Sequence, residues 1–131
     1  MSSNPKSESI IIKKTYSFAL EVVKLYKFLT NEKREFVLSK QFLRSGTSIG
    51  ANVNEAISGQ SKRDFVHKLS IALKEARETD YWLNLLKDSN YIEEKEFDPL
   101  NKNCTEIIKI LSSIILTIKE KYFKDKNDNN S

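Results

Sequence analysis

Arg44-Ser45-Gly46-Thr47-Ser48-Ile49-Gly50-Ala51-Asn52-Val53-Asn54-Glu55-Ala56 is the stretch on which the fold turns. It reads in two ways. A break near Gly46 would leave Ser45-Gly46-Thr47-Ser48 as a loop. An unbroken helix would instead run its apolar seam, Leu38, Phe42, Ser45, Ile49, Asn52 and Ala56, through both glycines in regular 4-3 steps. The spacing favours the continuous helix, from about Arg34 to Ser58. Each Gly then costs the helix about 1 kcal/mol relative to Ala, a cost usually offset by close approach of a neighbouring backbone. Ser45 and Asn52 lie on the seam, and Arg44, Ser48 and Glu55 lie on the stripe beside it. Polar groups so placed must find partners, and they therefore specify which surfaces meet.

Outward from this segment, the same periodicity recurs three times. Ile10 to Leu29 carries two adjacent stripes. One is Ile12, Tyr16, Ala19, Val23 and Tyr26; the other is Ile11, Thr15, Phe18, Val22, Leu25 and Leu29. Thr30 to Lys33 is a polar connection. Gly59 is a stop for the second helix, and Ser61 caps a third, with Asp64 three residues on. That helix runs to about Ser89 on the seam Phe65, Leu69, Ala72, Ala76, Thr79, Leu83 and Leu86, with Asn90 as a left-handed stop. A fourth begins between Glu93 and Pro99, where Asp98-Pro99 forms a good cap and first turn. Glu93 to Phe97 is either a separate turn or the start of one longer helix kinked at Pro99. The seam of this helix is Leu100, Cys104, Ile107, Leu111, Ile114 and Ile118. Short connections between long helices predict an all-α, antiparallel up-down-up-down four-helix bundle over residues 10–123. Residues 1–9 and 124–131 are polar and expected to be disordered.

Composition narrows the functional classes. The 131 residues suit one domain, and only 3 Gly and 2 Pro are too few for the tight turns of an all-β fold. The formal charge of +4 permits a polyanionic partner without requiring one. Cys104 is the single cysteine, which excludes an intrachain disulfide and a cysteine-based zinc site. The N-terminal residues lack the apolar core of a secretion signal, and Ile107 to Ile118 is too short to span a bilayer. A cytoplasmic location with no membrane association is expected. Apolar residues exceed one stripe per helix: Phe18, Leu25, Ile108, Ile115, Tyr122, Ile71, Trp82 and Leu85 form a surplus that points to a homo-oligomer.

Arg44 to Ala56, then Gly59-Gln60-Ser61-Lys62-Arg63-Asp64-Phe65, then Lys68 to Thr79 with Trp82-Leu83, resemble the four-helix-bundle proteins encoded in intervening sequences of 23S ribosomal RNA genes. That family has often been labelled a ribosomal protein. The resemblance covers about Tyr16 to Lys121. It implies an antiparallel bundle that assembles as a ring, typically a homopentamer. It also implies similarity to the accessory variability proteins of diversity-generating retroelements, which bind nucleic acid and associate with a reverse transcriptase. The resemblance supplies no catalytic residues.

Two constellations are candidate sites. Arg63, His67, Lys74 and Arg77, with Ser70 and Tyr81, rise in 4-3 steps along the outer face of the third helix, while Lys13, Lys24 and Lys27 fall together on the first. Such stripes can track phosphates, although most charged helix faces are simply solvated. Arg44, Ser48, Asn52, Glu55, Glu75, Glu78 and Trp82 form the second, read as a polar network that fixes helix register or a subunit interface. A dinuclear metal site would need two Glu-x-x-His motifs; here His67 is the only histidine, preceded by Asp64. Gly46 to Gly50 lacks the Lys and preceding strand of a phosphate loop. No catalytic, metal or cofactor site is expected. The reading is a non-enzymatic ring that binds RNA, DNA or a nucleic-acid-processing protein. The alternative is a protein-interaction scaffold with no direct nucleic-acid binding.

Overall fold

In a computed structural model, which describes residues 5–123, the four periodic segments become α1 (Pro5–Asn31), α2 (Leu38–Ile57), α3 (Lys62–Asp88) and α4 (Glu94–Tyr122). There is no strand among the described residues. Contacts between rising numbers on one helix and falling numbers on the next set the topology. Val22 and Thr15 face Gly46 and Gly50. Arg44 and Glu55 face Glu78 and Lys68. Ala76 and Asp80 face Cys104 and Asn101, and Lys14 and Glu21 face Glu106 and Asn103. Each neighbouring pair is antiparallel, so α1 and α3 lie on one diagonal of the bundle and α2 and α4 on the other.

α1 begins at Pro5, so the disorder expected for residues 5–9 is corrected to helix; proline at the first helical position has no N–H to leave unpaired. The disorder expected for residues 1–4 and 124–131 lies outside the described residues. Of the two α1 stripes, the one from Ile11 to Leu29 is buried, and the one from Ile12 to Tyr26 stays at or near the surface.

α2 starts four residues later than Arg34. Arg34 takes a left-handed backbone (φ 56°) that turns the chain. The Glu35 carboxylate, 7% exposed, then accepts the N–H groups of Val37 and Leu38, both at 3.0 Å, and of Ser39 at 2.7 Å. These are among the donors that a helix start leaves orphaned. Burial raises the Glu35 pKa, but the donors of Leu38, Ser39 and Val37 outweigh it and hold the carboxyl below its usual value.

The helix runs unbroken through both glycines. A Cβ at Gly46 would sit 2.8 Å from both Val22 methyls, so α1 and α2 meet there at a distance no side chain allows. The expected seam position Asn52 is corrected to Val53, which is fully buried, while Asn52 and Leu38 lie half-buried at the edge. α2 is wedged between α1 and α3, and facing both rotates its buried surface toward Ser39, Gly46, Gly50 and Val53.

Every expected seam residue of α3 and α4 is buried. Ser61 Oγ accepts the Asp64 N–H at 3.0 Å to open α3. At its end Asn90 (φ 69°) closes a Schellman motif, with Tyr91 N–H to Leu86 O at 2.9 Å and Asn90 N–H to Lys87 O at 3.0 Å. α4 starts before Asp98-Pro99. The reciprocal box of Glu93 and Glu96 caps it, and Pro99 rides inside the helix on its exposed side. Cys104 is buried, its Sγ donating to the Ala76 carbonyl at 3.3 Å, and burial pushes its thiol up to about 12.

Three residues of the expected apolar surplus, Phe18, Leu25 and Ile115, belong to the core of the single bundle. Four neighbouring helices enclose a wider core than one stripe each would fill, which is why the count overshot. No helix among the described residues is long and apolar enough to cross a membrane.

Candidate functional site

Arg63, His67, Lys74 and Arg77 are all exposed on the outer face of α3, and Tyr81 continues the line at 60% exposure. At 1.5 Å per residue the stripe from Arg63 to Tyr81 is about 27 Å long. Among the described residues none of His67, Lys74 and Arg77 enters an ion pair. Arg63 lies over the Phe123 ring, and Lys62 lies over Tyr122. Lys13, Lys24 and Lys27 are exposed on α1. Because α1 and α3 are diagonal, the two basic faces point to opposite sides of the bundle and cannot form one continuous surface.

Two carboxylates of α3, Glu75 and Glu78, turn toward α2. Arg44 Nη1 donates to Glu75 Oε2 at 3.0 Å, and Nη2 donates to Glu78 Oε1. Trp82 Nε1 donates to the same Glu78 oxygen at 3.3 Å. Arg44 holds the Glu78 carboxyl below the usual range. Burial, then the hydrogen bond to Glu78, pushes Glu75 up, and Glu78 in turn raises the Arg44 pKa.

The expected seven-residue network divides. Arg44, Glu75, Glu78 and Trp82 come together. Ser48 Oγ donates to the Arg44 carbonyl at 2.6 Å, and Asn52 Nδ2 donates to the Ser48 carbonyl at 2.9 Å, so both serve their own helix. Glu55 pairs with Lys68 at 3.3 Å instead of with Arg44. A hydroxyl pair that pattern reading did not join, Ser45 and Thr79, is hydrogen-bonded at 3.0 Å in the core between α2 and α3. Both residues were on the seams; their pairing depends on an interhelical register that periodicity leaves open.

A third surface lies on the flank of α1 beside α2. Tyr16 and Leu20 are 64% and 57% exposed, and Ile12, Ala19, Val23 and Tyr26 are half-buried around them. Between α1 and the start of α4 opens a groove of about 380 Å³, with Leu25, Phe28 and Leu100 among its walls and Glu21, Lys24, Lys95 and Glu96 among its charged residues. Among the described residues no group of three or more His, Cys, Asp or Glu is gathered to hold a metal ion. His67 stands exposed beside Arg63 and Asp64 on the first turns of α3.

A family model described as 23S rRNA-intervening sequence protein matches residues 7–113. Among solved structures, the chain is similar to a protein of unknown function from the S23 ribosomal protein family of Bacteroides thetaiotaomicron VPI-5482. The identity is 54%, the TM-score 0.82, and the match covers 83% of this chain and 97% of that one. Comparison with curated proteins finds no match.

Proposed function

We propose, from the premise that this chain belongs to the 23S rRNA-intervening sequence protein family, that it is a non-enzymatic, self-associating bundle that binds nucleic acid through the outer face of α3. One observation carries this reading. Glu75 and Glu78 are engaged with Arg44 and Glu55 with Lys68, and among the described residues His67, Lys74 and Arg77 enter no ion pair. A phosphate backbone supplies the missing counter-charge. The exposed α1 flank around Tyr16 and Leu20 supports self-association, and the family resemblance favours a pentameric ring as its form. A ring would repeat the basic face and raise avidity without new contacts. A cytoplasmic location goes with this reading. The scaffold reading, in which the same face meets an acidic protein or a nucleic-acid-processing one, is favoured by exposed Tyr81, since aromatic residues commonly anchor protein interfaces.

The test is fluorescence anisotropy with a structured RNA and a DNA duplex titrated across salt. Binding is expected to fall steeply as salt rises, and Arg63→Glu/Lys74→Glu is expected to weaken it about tenfold or more. Absence of binding at low salt would overturn the nucleic-acid reading and leave the scaffold. Sedimentation tests the assembly: wild type should run as one oligomer at micromolar concentration and Tyr16→Glu/Leu20→Glu as a monomer. A monomeric wild type would overturn self-association.

A further inference from the structure

Tyr81 closes the basic stripe, and its ring packs against its neighbour on the chain. Its ring forms an edge-to-face pair with Trp82, centroids 5.1 Å apart and planes at 77°. Trp82 is itself tied, its Nε1–H donating to Glu78 Oε1, and Glu78 is held by Arg44 from the neighbouring helix. A chain of contacts from α2 thus fixes the indole that flanks Tyr81, while Tyr81 stays 60% exposed. An exposed aromatic ring held in place beside cations has a specific use. Arg77 is one helical turn before Tyr81 on the same face, with Cβ atoms about 6 Å apart, and Lys74 precedes it by two turns.

We propose that Tyr81 is a base-stacking platform and that the α3 stripe is built for single-stranded nucleic acid. This inference rests on the nucleic-acid reading above and deepens it. In a single strand, bases and phosphates alternate at a spacing close to that between Tyr81 and Arg77, and each base offers a free π-face. In a duplex the faces are stacked inside and only phosphates remain to be met. A stripe of cations alone would favour the duplex, whose charge density is the higher. A cation stripe ended by an oriented ring favours the single strand, without regard to sequence, because all bases stack. Arg77 and Lys74 take the phosphates flanking the stacked nucleotide. Arg44, Glu78 and Trp82 are positioning residues for the ring.

The test uses the full chain with labelled oligouridylate, oligothymidylate and a mixed-sequence duplex of equal length, at one salt concentration. Wild type should bind either single strand about tenfold more tightly than the duplex. Tyr81→Ala should lose about tenfold on the single strands and nothing on the duplex, and Tyr81→Phe, which keeps the π-face, should stay within about twofold of wild type. The RNA and DNA arms show which sugar is accepted. Trp82 is the only tryptophan, so its emission gives a second readout: unlabelled oligouridylate should quench it in wild type. Equal binding of the two forms, equal loss on both from Tyr81→Ala, or an unchanged emission at saturation overturns the stacking platform while leaving nucleic-acid binding intact. Absence of binding to any of the probes at low salt overturns the nucleic-acid reading itself, and this inference with it.

Discussion

Glu35→Ala is expected to destabilise the folded chain by about 2 kcal/mol, because it strands three backbone donors at a helix start, one of them buried. The Ser39 N–H and carboxylate are buried, so solvent cannot take over that bond. Equilibrium unfolding in denaturant measures the loss, and a change under about 1 kcal/mol would mean that the cap is dispensable. Glu35→Gln should cost less at neutral pH, since its carbonyl oxygen still accepts. The two proteins differ most clearly with pH. The folded-state pKa of Glu35 lies below its ordinary value of 4.5, so its contribution is complete above that pH. It is lost as pH falls through the lower, folded value. The stability gap between wild type and Glu35→Gln should therefore close on acidification, and a constant gap would sink the assignment.

Gly46→Ala and Gly50→Ala are expected to have opposite signs, although the glycines are one helical turn apart. At Gly46 the new methyl would press on both methyls of Val22 at 2.8 Å. Val22 is fully buried and β-branched, so it has no free rotamer to retreat to. Overpacking should exceed the gain in helix propensity and leave a net loss of about 2 kcal/mol. At Gly50 the nearest atom, the Thr15 carbonyl oxygen, is 3.4 Å away, and propensity should win by several tenths of a kcal/mol. In a Val22→Ala background Gly46→Ala should cost little or nothing, giving a coupling of about 1–2 kcal/mol in a double-mutant cycle. Additive effects would mean that the helices do not meet where described.

The contrast between these glycines illustrates what periodicity conveys. Every seam residue expected on α3 and α4 is buried, although Val66, Phe97 and Ile115 are buried beyond those seams, and the spacing selected an unbroken α2 over a loop at Gly46. It could not choose between the two stripes of α1, since both satisfy a helix and only the neighbours decide which is buried. It missed the start of α2 because Glu35 acts on donors two to four residues ahead after a left-handed Arg34, outside the Ser/Thr/Asp/Asn pattern. Asp98-Pro99 was a sound local start, overridden by the Glu93–Glu96 box upstream.

Candidate site residues were harder still. That Arg44, Glu75 and Glu78 share a network was legible as charge on facing stripes. Glu55 belongs with Lys68 instead, because an antiparallel register carries each step along α2 backward along α3. Exposure of the α3 stripe followed from its position opposite the seam. The separation of the α1 lysines from it required knowing which helices are diagonal.

The thiol of Cys104 adds one consequence of a different kind. Buried against the Ala76 carbonyl and pushed up to about 12, it carries almost no thiolate near neutral pH and cannot be reached by a reagent while α3 and α4 are packed. Any modification of this chain at sulfur on Cys104 must therefore pass through a molecule in which those helices have parted. The rate of alkylation becomes a clock for that opening, native to the sequence and needing no engineered probe.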